Sequence, residues 1–139
     1  MFLAMDTLDD LSRRFGLLAI YLFGSRADDG LRKLGGEPVE RGRSDLDVGL
    51  VFDSPTFLPR LLSSMQVAFE DLFSPLAVDL VPLQRVDPLL AFGAIDGHRV
   101  ASTDRTRVDL FELDVMRRAA ELLPVQRQLE RELYGASTS

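Results

Sequence analysis

Hydrophobic and polar positions follow two periods along this chain, and the switches between them mark its elements. Leu8, Leu11 and Phe15 recur at helical spacing behind Asp6-Thr7, which predicts a capped first helix ending at Gly16. Leu17–Phe23 is an unbroken apolar run with β-branched and aromatic members, too short for a helix. It reads as a buried strand that Gly24-Ser25 ends. Residues 26–44 lose the pattern. They hold Gly30, Gly35, Gly36, Pro38 and Gly42 among charges of both signs, the composition of a long loop or mobile flap. Leu46, Val48, Leu50 and Phe52 then alternate with Asp45, Asp47, Gly49 and Val51, the two-residue period of a strand.

Ser54-Pro55 offers an N-cap and a first-turn proline for a helix with Leu58, Leu61, Leu62, Met65, Phe69 and Leu72 along one stripe. Ser74-Pro75 breaks that helix. Leu76–Val81 reads as a third strand, closed by Pro82. A short helix follows Asp87-Pro88 through Ala91, and Gly97-His98-Arg99-Val100-Ala101 reads as a turn and a short strand. From Asp104 a last amphipathic helix carries Val108, Phe111, Val115, Met116 and Leu122. Pro124 kinks or ends it, and Val125, Leu129 and Leu133 continue helically. The order predicts an α/β (α+β) fold, a small mixed β-sheet flanked by helices. The chain, 1–139, reads as one domain with a flap at 26–44 and a C-terminal helical segment at 104–134.

Composition narrows the chemistry. With 139 residues and 46% hydrophobic content, a chain can bury roughly 70% of its unfolded surface, enough for a core without staples. The net charge of -6 argues against a nucleic-acid groove or an anionic-membrane binder, both of which need clustered base. The sequence has no cysteine and one histidine, His98. Disulfides, thiolate nucleophiles, zinc-cysteine sites and multi-histidine metal sites are thereby excluded. Residues 1–5 lack the basic and apolar regions of a signal peptide, and no run reaches the ~18 apolar residues of a membrane span. The expectation is a cytoplasmic domain whose metal, if it uses one, is held by carboxylate oxygen.

Three carboxylates stand where hydrophobic strands disfavour them. Asp45 and Asp47 are two apart on one strand, hence on one face and about 6.6 Å apart at Cα. Asp79 lies inside the next strand between Val78 and Leu80. Unpaired, such groups are costly to bury, and mutual repulsion raises at least one pKa. A divalent cation removes the conflict, and hard oxygen donors suit Mg²⁺ or Mn²⁺. Gly24-Ser25 supplies the complement. A glycine at a strand end lets backbone N–H groups approach a phosphate chain, a serine adds a hydroxyl, and Arg26 adds positive charge. A helix starting just beyond would favour the anion further.

Gly24-Ser25-Arg26-Ala27, Ser44-Asp45-Leu46-Asp47-Val48 and Val78-Asp79-Leu80 together resemble the DNA-polymerase-β-like nucleotidyltransferase superfamily. Within it they resemble the minimal nucleotidyltransferases, the MNT group, over residues 17–82. The resemblance implies a nucleotidyltransferase-like fold in which Gly24 and Ser25, with Arg26 beside them, hold the phosphates of ATP. It implies that Asp45, Asp47 and Asp79 form the catalytic metal site, Asp79 being closest to general-base work. It further implies transfer of AMP from ATP to a hydroxyl, most simply a tyrosine of a helical HEPN-domain RNase toxin. The chain would then act as that toxin's antitoxin within a hetero-oligomer. The 19 residues between Ser25 and Asp45 exceed the connection usual in the family, the surplus falling where insertion is cheap.

Other readings stand beside these. Asp45 and Asp47 also suit a solvated strand face, Gly24-Ser25 a plain strand-ending turn, and Asp79 a structural pair with an arginine. Arg26 suits a surface ion pair as well as a phosphate, His98 reads as a turn residue, and Arg32, Arg41 and Arg43 as solvated. As a whole, the chain also suits a transferase for a small hydroxylated acceptor of the aminoglycoside type. A third reading is an antitoxin that neutralises by binding alone. The segment beyond the third strand is too short for the extra helical domain with which stand-alone small-molecule transferases of this superfamily hold their acceptor.

Overall fold

The computed structural model describes residues 2–54 and 60–134. In chain order they form α1 (Phe2–Phe15), β1 (Leu17–Phe23), α2 (Ala27–Leu34), β2 (Leu46–Phe52), α3 (Arg60–Phe73), β3 (Val78–Pro82), α4 (Pro88–Ile95), β4 (His98–Ser102) and α5 (Arg105–Leu133). The four strands lie in the order β3-β2-β1-β4. β1 runs antiparallel to both neighbours, whereas β2 and β3 are parallel, so the sheet is mixed as the sequence predicts.

All of β1 is buried because it is a central strand with both faces covered. On one face Ile20, Leu22, Val48 and Leu50 meet Leu8, Leu11 and Phe15 of α1 and Met65, Phe69 and Phe73 of α3. On the other, Leu18, Tyr21, Phe23 and Val51 meet Leu83, Ala94 of α4 and Val108 of α5. This second layer explains why the two-residue alternation of β2 fails at Val51, which is as buried as Leu50.

Several expected boundaries move. α1 begins at Phe2, so Asp6 and Thr7 lie within the helix and do not cap it. The flap expected over 26–44 is an error in its first half. Residues 27–34 are helix α2, and irregular chain spans only the part beyond it. Gly30, read as a loop glycine, is buried there as a packing residue. A Cβ on it would lie 2.9 Å from both Leu22 and Leu46 side-chain carbons, so its smallness lets the helix sit on the sheet.

The Ser54-Pro55 cap and Leu58 fall on or beside 55–59, outside the described residues. In the described part of α3, Met65 and Phe69 are buried while Leu61 and Leu62 are exposed. β3 starts at Val78, two residues later than expected, and α4 extends to Ile95 behind Asp87, which accepts from the N–H groups of Leu89 and Leu90. α5 runs through Pro124 as a single helix. Its buried positions are Val108, Val115 and Ala119, after which the helix is exposed, so the carbonyl that loses a partner to proline is open to water. Among the described residues no helix is long and apolar enough to cross a membrane.

Candidate active site

The three carboxylates converge at one end of the β1-β2-β3 ladder. Asp47 is the second residue of β2 and sits in register with Asp79 on β3 and with Phe23 on β1. Asp45 lies one residue before β2, not within it. Asp45 and Asp79 are exposed and Asp47 is partly buried, so the cost of burying three bare charges does not arise. The ladder ends at the surface, which keeps two of the groups in water.

Asp47 bears the strain of this arrangement. Its carboxyl is held above the usual aspartate range, first by burial and then by the negative charges of Asp79 and Asp45. This is the repulsion expected from the sequence, and it identifies Asp47 as the group most in need of a compensating charge. None of the ion pairs among the described residues involves Asp45, Asp47 or Asp79. The structural alternative in which Asp79 pairs with an arginine is therefore not what the fold does.

Gly24 lies directly beneath Asp47. Its φ is +78°, and a Cβ built on it would stand 2.3 Å from Asp47 Oδ2. Both facts demand glycine: the backbone conformation is left-handed, and the space is taken by the carboxylate. Gly24 and Ser25 are exposed, and α2 starts two residues after Ser25. The strand–Gly-Ser–helix sequence thus places a turn and a helix N-terminus next to the acidic cluster, the setting in which backbone N–H groups favour an anion.

Of the two readings open for Arg26, the structure shows an ion pair, together with backbone contacts that neither reading included. Its Nε donates to Asp29 Oδ2 at 2.7 Å, its Nη1 to the carbonyls of Arg41 and Ser44, and its Nη2 to the carbonyl of Glu40. The guanidinium is committed to the chain rather than free for phosphate. Its partnership with Asp29 follows a helical i, i+3 spacing legible in sequence. The three carbonyls leave no trace there, because backbone groups are the same at every position. His98 is a strand residue and not a turn residue. It pairs in register with Leu22, and its Nε2 lies 3.6 Å from Asp28 Oδ1 in the first turn of α2.

The donors fit a hard divalent cation by chemistry: three carboxylates, one with a raised pKa, and no arginine or lysine among their partners. They are not drawn around a single point. Among the described residues no group of three His, Cys, Asp or Glu is close enough to hold a metal ion by itself. Such a cation would need further ligands, and Mg²⁺ characteristically takes phosphate oxygens and water for that purpose.

No family model matches this chain, and no curated protein does. Solved structures do. An MntA–HepT toxin–antitoxin complex contains a chain that superposes with a TM-score of 0.67 at 17% identity, over 96% of this chain and 98% of that one. The chain has the nucleotidyltransferase-like MNT fold.

A tri-AMPylated Shewanella oneidensis HEPN toxin in complex with its MNT antitoxin matches with a TM-score of 0.66 at 18% identity, over 94% of this chain and 96% of that chain. A toxin–antitoxin complex with AMP-PNP matches with a TM-score of 0.65 at 19% identity, over 93% and 97% respectively. The fold is thus shared over nearly the whole length of both chains in each comparison. The mixed sheet and flanking helices expected from the order of the elements are the fold observed.

Proposed function

We propose that this chain is an MNT-type antitoxin that transfers AMP from ATP to a hydroxyl of a helical HEPN-type toxin, a tyrosine being the simplest acceptor. The observation that carries this reading is Asp47 lying over Gly24 and in register with Asp79, which joins the acidic cluster to the Gly24-Ser25 turn. The shared fold supports it, since one relative of that fold accompanies an AMPylated HEPN toxin and another was solved with AMP-PNP.

In this mechanism the Gly24-Ser25 turn and the N-terminus of α2 seat the phosphates, the Ser25 hydroxyl donating to one of them. Asp45, Asp47 and Asp79 would hold Mg²⁺ or Mn²⁺, which supplies charge neutralisation for the phosphates when bound. Asp79, exposed at the sheet edge, takes the proton of the attacking hydroxyl. The acceptor oxygen bonds to the α-phosphorus, the bond from that phosphorus to the pyrophosphate oxygen breaks, and pyrophosphate leaves. Positioning and electrostatics do most of the work.

The acceptor arrives with the partner, and α5 offers a surface on which that partner can dock. The far half of that helix leaves Leu122, Leu123, Val125, Leu129 and Leu133 exposed. Such a contiguous apolar face suits a protein partner. Co-expression with the toxin, followed by intact-mass measurement, tests the reading. Adenylate-sized increments on the partner are expected, and Asp45→Asn/Asp47→Asn should abolish them while leaving the fold intact. Full transfer by that double variant would overturn the enzymatic reading. A neutralised partner of unshifted mass would indicate binding alone. ATP turnover with an aminoglycoside and no protein would redirect the assignment to a small acceptor.

A further inference from the structure

We infer that Arg26 is a positioning residue, a clamp on the segment 35–45 that sets Asp45 beside Asp47, and not a ligand of phosphate. The inference rests on reading the carboxylate cluster as the site of transfer. A guanidinium has five N–H donors in one plane, and here four of them are in use. Nε meets Asp29, Nη1 meets the carbonyls of Arg41 and Ser44, the latter at 3.1 Å, and Nη2 meets the carbonyl of Glu40. The side chain is only 11% exposed. The Ser44 carbonyl belongs to the peptide bond that leads into Asp45, so the clamp acts on the backbone of the residue it positions.

The segment has little else to hold it. The Glu37 N–H donates to the Arg32 carbonyl at 2.9 Å, and the Leu46 N–H to the Ala77 carbonyl at 2.7 Å. Between those points, among the described residues, Val39 packs on the core and Arg26 binds the backbone. The chain is shaped around the guanidinium. Gly42 has φ +66°, and a Cβ on it would lie 2.4 Å from Arg26 Nη1. A planar fork spanning three carbonyls and a carboxylate is a task lysine cannot perform, whereas lysine serves well as a point charge on phosphate. The long connection that distinguishes this chain is therefore pinned at its far end, beside the site.

Three variants of the full chain separate the two roles: Arg26→Ala, Arg26→Lys and Gly42→Ala, the last disturbing the clamp without touching its charge. Misplacing a reacting group by about 1 Å costs on the order of 100-fold. All three are expected to lower kcat by about that factor with KM for ATP within about twofold, the pattern of a group acting on the reacting geometry alone. Trypsin should nick Arg26→Ala and Gly42→Ala after Arg41 and Arg43 faster than wild type. Restoration of activity by Arg26→Lys, a rise in KM with kcat preserved, or wild-type behaviour of Gly42→Ala would overturn the clamp. If wild type transfers no nucleotide, the functional reading fails. The tryptic rates then decide the clamp by themselves, equal nicking of wild type and Arg26→Ala overturning it.

Discussion

Replacing Tyr21 by phenylalanine removes one oxygen from the centre of the molecule and tests how α5 is fastened to the sheet. Tyr21 is fully buried on β1, and its hydroxyl donates to Glu112 Oε2 on α5. The same oxygen accepts from Arg99 Nη1 of β4 at 3.1 Å, and Arg99 reaches Asp109 at 3.0 Å. One phenol, one guanidinium and two carboxylates therefore join two strands to a helix. The substitution leaves the ring and its packing in place, so no cavity term enters. What is lost is a hydrogen bond to a charged group, about 1.5–3 kcal/mol. Arg99 still serves Glu112, which puts the expected loss near the lower end, about 1.5 kcal/mol. For a domain of this size that is a fall in Tm of roughly 6 °C.

The same bond gives a pH signature. Burial, then the hydrogen bond and charge of Glu112, push the Tyr21 phenol well above its ordinary value. The folded state thus holds this proton more tightly than the unfolded state does. Its stabilising contribution is complete below the unfolded pKa of about 10 and is lost as pH rises through and above that value, by up to about 1.4 kcal/mol per pH unit. Urea denaturation of wild type and Tyr21→Phe between pH 7 and 11 reads both effects. The variant should be less stable at pH 7, with a shallower alkaline decline. Equal stability at pH 7 together with equal alkaline slopes would refute the reasoning.

Gly24→Ala should cost about 1–2 kcal/mol for the left-handed backbone alone. It should also displace the Asp47 carboxylate and abolish nucleotidyl transfer, read by intact mass, and full activity would refute the close approach. Phe69→Ala, emptying a fully buried ring site between α3 and the sheet, should lower unfolding free energy by about 3–5 kcal/mol in urea titrations. Leu129→Asp, at a residue 53% exposed, should leave stability within about 0.5 kcal/mol but weaken capture of the toxin in a pull-down. A destabilised free chain would mean that this part of α5 packs on the body.

Much of the fold is legible in the chain because its strongest signals are periodic or local. The apolar run Leu17–Phe23 reads as a buried strand, and Asp45, Asp47 and Asp79 could not sit in the middle of a sheet unpaired. Spacing placed Asp45 and Asp47 on one face and the resemblance grouped them with Gly24, Ser25 and Asp79; in the fold Asp47 stands in register with Asp79 and against Gly24. The glycine-rich composition of 26–44 misled because glycine has two uses. It relaxes a loop, and it also admits close packing, which is what Gly30 does between Leu22 and Leu46.

Tertiary structure decided what depends on partners far along the chain. That Arg26 faces the carbonyls of Glu40, Arg41 and Ser44 follows from how the connection folds back, and backbone carbonyls carry no sequence signature. Likewise the stripe of α5 divides into a part with buried positions, up to Ala119, and an exposed part only because the chain it packs on, chiefly α4, covers no more of it. Sequence alone determined which chemical groups the chain carries and at what spacing, since both are local properties. Which of those groups remain free to use it is set by packing, where one residue's donors are satisfied or spared by another's position.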